Sequence, residues 1–266
     1  MQAVLLDICS VLLQNGNINN KESPMEELRA LFIGAHTDEC EYGPGGLAYL
    51  LHQKGVRTRF YNTCVYRENE PEARQQEAAR ISVEAAAMLG AEKVIEGPQP
   101  LIYGCSEAHI GHILQEILDF KPHLVFIHYP RDTHSEHRET AKASYEAVCL
   151  APAYGWHVRE IYAFEAGPDQ TVQYMTPDIV IDISDLKPLL TACYHVFGQG
   201  VGDQLTEEKE TGASFRGLKS GFAWGEAYKI IKFPNQGEDF LLRQLLPDRF
   251  RWFGNEYYPA YGELYF

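Results

Sequence analysis

The sequence predicts an α/β fold in three layers, with a mostly parallel sheet and a C-terminal extension packed on it. Three observations predict it. Apolar runs alternate with helix-forming stretches over residues 28–149. Those runs are apolar on successive residues, as strands buried on both faces require, and parallel crossovers supply the covering helices. A chain of 266 residues with 45% apolar content can fill one large core.

In order, Leu28–Ala35 reads LRALFIGA, a buried strand ending in a small-residue turn. After the glycines of 43–46, Leu47–Lys54 is expected to be helical and Val56–Cys64, rich in β-formers, to be the next strand. Arg74–Leu89 is composed of helix formers and Gly90 suits its C-cap; Lys93–Glu96 is a short strand. Ile110, Ile113, Leu114 and Ile117 recur at helical spacing within His109–Phe120, which Pro122 closes. Leu124–His128 is a strand and His137–Cys149 a helix.

Beyond Pro152 the rhythm changes. Val158–Phe164 and Ile179–Ile183 read as strands around a Gly167–Pro168 turn, and Leu186–Tyr194 as a helix. The Gly- and charge-rich stretch Gly198–Gly212 is expected to be a loop, and Phe222–Ile230 a helix; the aromatic tail Phe250–Phe266 has no period. Residues 1–266 are thus read as a single domain, with 1–27 an N-terminal extension and 152–266 a portion that shapes the substrate pocket and oligomer contacts.

Lys and Arg number 23 against 37 Asp and Glu, a formal charge of −14. A field of that sign repels phosphate backbones and anionic membranes, so neither nucleic acid nor membrane is an expected partner; a homo-oligomer stays open. Cys9, Cys40, Cys64, Cys105, Cys149 and Cys193 are widely spaced and form no CxxC, which fits reduced thiols. The opening MQAVLLDICSVLLQNGNINN carries Asp7 and no basic region, so no signal peptide is expected and the location is taken as cytoplasmic.

Two segments carry chemistry. His36-Thr37-Asp38-Glu39-Cys40-Glu41 leaves the first predicted strand, at the end where parallel sheets open their ligand crevice. Asp132-Thr133-His134-Ser135-Glu136-His137 follows Leu124–His128 in the same way. Such densities of ionisable groups need solvent or a cation to offset them. His36, Glu39 and His137 are ordinary ligands for a catalytic Zn2+, which leaves a coordination position open for water; another divalent metal is also compatible. Asp38 is the natural general base, and His134 suits an oxyanion or a leaving nitrogen. The bland alternative for each acidic residue is a solvated loop or a helix N-cap.

Together the two motifs resemble the LmbE-like, or PIG-L, family of metal-dependent N-acetylglucosaminyl deacetylases. Residues Ala35–Gly46 correspond to its A-H-P-D-D-x-E-x-G-x-G-G signature, and Asp132–His137 to its D-x-H-x-D-H signature. The resemblance implies a Rossmann-like fold and a metal held by His36, Glu39 and His137. It further implies Asp38 as base, His134 as catalytic histidine, and Glu136 as a carboxylate that orients a histidine. The implied reaction removes acetyl from a small N-acetylated sugar. Thr37 stands where the family has proline, and Glu39 and Glu136 where it has aspartate, each carboxylate moved outward by roughly 1 Å. Hydrolysis of another amide or N-linked molecule, or a metal-containing binding protein without turnover, are the alternatives.

Weaker signals extend the resemblance. Arg74 and Glu77 form an R-x-x-E pair, read either as a surface helix ion pair or as a substrate contact through Arg74. Tyr129 beside the second motif and His195 further on are candidate pocket residues, and His128 is a candidate to stand behind the ligands. Glu226 resembles the glutamate of a late A-E-x-F segment. Gly43, Gly45 and Gly46 do not make GxGxxG, so a dinucleotide cofactor is not expected.

Overall fold

The computed structural model describes residues 27–64, 70–97, 104–167, 175–232, 234–235 and 238–253. Most of the expected N-terminal extension, Pro168 of the expected turn, and the tail from 254 onward lie outside them. Strands β1 (Arg29–Gly34), β2 (Arg57–Asn62), β3 (Ala91–Ile95), β4 (Leu124–His128) and β5 (Glu160–Phe164) run parallel in the order β3-β2-β1-β4-β5. Strands β6 (Ile179–Asp182), β7 (Gly225–Lys232) and β8 (Phe250–Trp252) continue the sheet antiparallel, in the order β7-β6-β8 after β5.

The helices are α1 (Glu39–Tyr42), α2 (Gly45–Gln53), α3 (Glu72–Met88), α4 (Glu107–Phe120), α5 (Ser135–Leu150), α6 (Lys187–His195), α7 (Gln199–Ser220) and α8 (Leu241–Leu245). They cover both faces. On one, Phe32, Phe126 and Tyr162 stack across neighbouring strands, at 4.5 and 5.3 Å between ring centroids, under Leu47, Leu51, Ala85 and Leu190. On the other, Leu31, Ile33, Val125 and Ile127 meet Ile113 and Ile117 of α4 and Ala143 and Ala147 of α5. Both side-chain sets of β1 and β4 are therefore buried, which is why these strands read as continuous apolar runs.

The path of the chain decides where a site can form. From β1 it moves outward through β2 to β3, then returns to place β4 on the other side of β1. The order reverses between β1 and β4, and the loops leaving their carboxyl ends diverge there to open a crevice. Both chemical motifs leave those two strand ends.

Two expectations fail. Of Gly198–Gly212, read as a loop, all but Gly198, which caps it, belong to the 22-residue helix α7. One of its glycines serves contact: a Cβ on Gly202 would lie 2.6 Å from His195 Cα and 2.8 Å from Tyr194 O, so glycine there lets α7 lie against α6. Residues Phe222–Ile230, read as a helix, instead supply most of strand β7, which lies between β5 and β6. With both faces covered, β7 lacks the alternation that identifies a half-exposed strand. The 152–266 portion is continuous with the parallel half, since β5 pairs with β4 and β7 with β5. No helix among the described residues is long and apolar enough to cross a membrane.

Candidate metal centre

The turn after β1 brings its side chains inward by bonding to itself. Asp38 precedes α1 at its N-cap, and Glu39 opens the helix. The His36 backbone N–H donates to Glu39 Oε2 at 2.8 Å, folding the glutamate back over the turn. From β2, Asn62 Nδ2 donates to the His36 carbonyl. From α3 and β3, Ser82 Oγ and Lys93 Nζ both donate to the Thr37 carbonyl. Three neighbouring elements therefore hold two successive peptides of the loop.

Three donor groups converge. Glu39 Oε1 lies 2.5 Å from His36 Nδ1 and 2.6 Å from His137 Nε2. His36, Glu39 and His137 each offer an atom within 4.8 Å of the other two. The opposite nitrogen of each imidazole meets a carboxylate: His36 Nε2 is 2.6 Å from Glu136 Oε2, and His137 Nδ1 is 2.9 Å from Asp132 Oδ2. A carboxylate behind a ligating imidazole fixes its tautomer and raises its basicity. Asp132 also accepts from the His134 backbone N–H at 2.7 Å, so one side chain ties the loop to the start of α5.

The electrostatics fit a cation. Burial opposes charge on His36, but Glu39 and Glu136 outweigh it and raise its pKa to about 11. Burial likewise opposes charge on His137, and Glu39 and Asp132 raise its pKa to about 9. For Glu39, burial favours the neutral acid, yet the three imidazoles of His137, His36 and His128 hold its carboxyl well below the usual range. A pocket that stabilises two imidazolium charges against buried carboxylates suits a divalent cation in place of those protons, and binding would release them. The donor set of two nitrogens and one carboxylate is one that zinc accepts.

Beside this trio, burial and then the Glu39 charge push the Asp38 carboxyl upward. His134 is held toward its neutral form by burial and by the charge of His137, and its ring centroid lies 4.4 Å from that of His137 and 5.2 Å from that of His36. Tyr129 is buried just past β4, its N–H donating to Phe164 O at 3.0 Å.

Two predicted contacts do not join the cluster. Arg74 is exposed and pairs with Glu70 at 2.9 Å, while Glu77 pairs with Arg80, so the Arg74–Glu77 pair does not form. His195 ends α6 and pairs with Asp203 at 2.8 Å on the surface. Conversely, Asp132 and Asn62 join the site although the sequence reading gave neither a role. Asp132 stands in the second motif and was legible there. His128 was read as a candidate to stand behind the ligands, whereas Asn62, a polar residue inside the β-rich run Val56–Cys64, carried no signal of its own.

No family model matches the chain. Among solved structures, it shares its fold with the 4-carboxy-2-hydroxymuconate hydratase GalB of Pseudomonas putida, at a TM-score of 0.67 and 19% identity over 80% of this chain and 99% of that one. It is similarly related to the N,N'-diacetylchitobiose deacetylase of Pyrococcus horikoshii, at a TM-score of 0.63 and 21% identity over 85% of this chain and 92% of that one. A deacetylase of teicoplanin biosynthesis superposes with a TM-score of 0.58 and 14% identity over 75% and 96% of the two chains. The likeness is one of fold, which a hydratase and deacetylases share.

Proposed function

We propose that this chain is a divalent-metal-dependent hydrolase, with zinc the preferred metal, that removes the acetyl group from a small N-acetylated sugar. The observation that carries the reading is the meeting of His36, Glu39 and His137 at the β1/β4 crevice, each imidazole backed by its own carboxylate. When bound, the cation supplies a Lewis acid for the acetyl carbonyl and acidifies a water. Asp38, its carboxyl made more basic by burial and by Glu39, takes the proton of the attacking water. The water oxygen bonds to the acetyl carbon. His134, beside both ligand imidazoles, donates to the developing oxyanion. The C–N bond then breaks, the proton passes to the nitrogen, and acetate and an amine leave.

The sugar preference draws on neighbours described as deacetylases of diacetylchitobiose and of teicoplanin biosynthesis. The hydratase neighbour favours a second reading, addition of water to a carbon–carbon double bond, because it uses the same fold. Acetate release separates the two. Purified protein should carry one zinc per chain and liberate acetate from an N-acetyl sugar panel. Asp38→Ala should keep the zinc and lose at least a hundredfold in kcat. Because one neighbour is known in a zinc-inhibited form, the assay belongs at stoichiometric metal. A zinc-loaded protein that releases no acetate from any member of the panel overturns the deacetylase reading.

A further inference from the structure

The ligand glutamate has a long side chain, and something must decide which of its oxygens faces the cation. Glu39 Oε2 accepts the His36 backbone N–H at 2.8 Å and lies 2.9 Å from His128 Nε2. Its partner Oε1 lies toward His36 Nδ1 and His137 Nε2. One oxygen is thus tied to the protein and the other is turned to the ligand imidazoles. His128 is fully buried at the end of β4, and its ring stacks on His137 at 4.2 Å with 8° between planes. It therefore touches two of the three ligand residues.

The proton on His128 has a preferred place. Ala35 N–H approaches Nε2 at 3.0 Å, while Glu39 Oε2 stands 2.9 Å from the same nitrogen, and one nitrogen cannot accept from the first and donate to the second. Nδ1 is buried with no hydrogen-bond partner among the described residues. A proton on Nδ1 would be unsatisfied and would turn the Nε2 lone pair toward a carboxylate. A proton on Nε2 instead makes a charge-assisted bond to Glu39, roughly twice as strong as the neutral bond from Ala35, whose N–H gives up this acceptor.

We propose that His128 is a positioning residue that anchors Glu39 through Oε2, so that Oε1 alone is presented to the metal. The assignment rests on the metal reading given above and adds a residue to it. It also gives the longer side chain of glutamate a use here, because an aspartate, one methylene shorter, would reach roughly 1 Å less far from the turn toward His128.

The test is zinc affinity by chelator competition, with melting of the metal-free protein as the control for folding. His128→Phe keeps a ring against His137 and removes the anchor; it should weaken zinc binding about 10–100-fold. His128→Gln restores a donor toward Oε2 and should recover part of that loss, which guards against a mere packing defect in the phenylalanine variant. Glu39→Asp should lose affinity too, and in that background His128→Phe should have no further effect. Wild-type affinity in both His128 variants, or losses that multiply in the double variant, would overturn the assignment while leaving the metal reading intact. A wild-type chain that takes up no zinc overturns the metal reading and the anchor with it.

Discussion

Glu41 is fully buried two residues past the ligand glutamate, with Lys93 Nζ 2.7 Å from its Oε1 and no hydrogen-bond partner for Oε2 among the described residues. Burial pushes its pKa from 4.5 to about 7, and the Lys93 ammonium only partly offsets that rise. A carboxyl whose folded pKa is raised binds its proton more tightly in the folded state. Its contribution to stability is full below the unfolded pKa of 4.5 and is lost as pH rises through about 7. The loss amounts to about 3 kcal/mol at most. Glu41→Gln removes this titration, so the metal-free variant should show a flatter dependence of unfolding free energy on pH between those limits. Denaturant titrations across that window measure the slope, which is independent of whatever the substitution costs at a single pH. An unchanged slope would show that Glu41 does not titrate there.

At the scale of elements, α1 has four residues and cannot persist by local hydrogen bonding. Its stability comes from the C-terminal portion. Lys209 of α7 donates to the carbonyls of Tyr42 and Gly43 at 2.9 and 2.6 Å, and to Glu226 Oε1 at 2.8 Å. Glu226 of β7 accepts from the N–H groups of Gly46 and Leu47 at 2.9 and 2.8 Å, where α2 begins. A cation meets the carbonyl end of one helix and an anion the amide end of the next, the arrangement that terminal partial charges favour. Gly46 is required here, since a Cβ would lie 2.8 Å from Glu226 Oε1. Lys209→Met leaves the Glu226 carboxylate buried without its cation and should cost about 3–5 kcal/mol in urea unfolding. Adding Glu226→Gln removes the stranded charge, so the double variant should lose less than the two single losses combined.

For the whole molecule, the cation would join parts of the chain that are distant in sequence but adjacent at the sheet's reversal point. His36 and Glu39 follow β1, and His137 follows β4. A ligand held only by the folded state stabilises it by mass action, about 2.7 kcal/mol at a hundredfold excess over Kd. The melting temperature should therefore rise by several degrees on adding zinc, and a chelator should reverse the rise. A melting temperature indifferent to zinc would contradict a site assembled by folding.

The amino-acid order alone was enough for the parallel half of the sheet, because central strands buried on both faces must be apolar throughout. It also carried the two motifs, whose ionisable residues crowd into short segments just past strand ends. Local pattern could not distinguish α7 from a loop or β7 from a helix. Glycine can relieve crowding as readily as it can break a helix, and a strand covered on both faces has no alternation to read. Nor could the order of residues reveal that Glu226 and Lys209 clamp a turn more than 160 positions earlier in the chain. Those pairings exist only because folding excludes water from groups that would otherwise be satisfied by it, and which groups are left to satisfy one another is decided by tertiary packing.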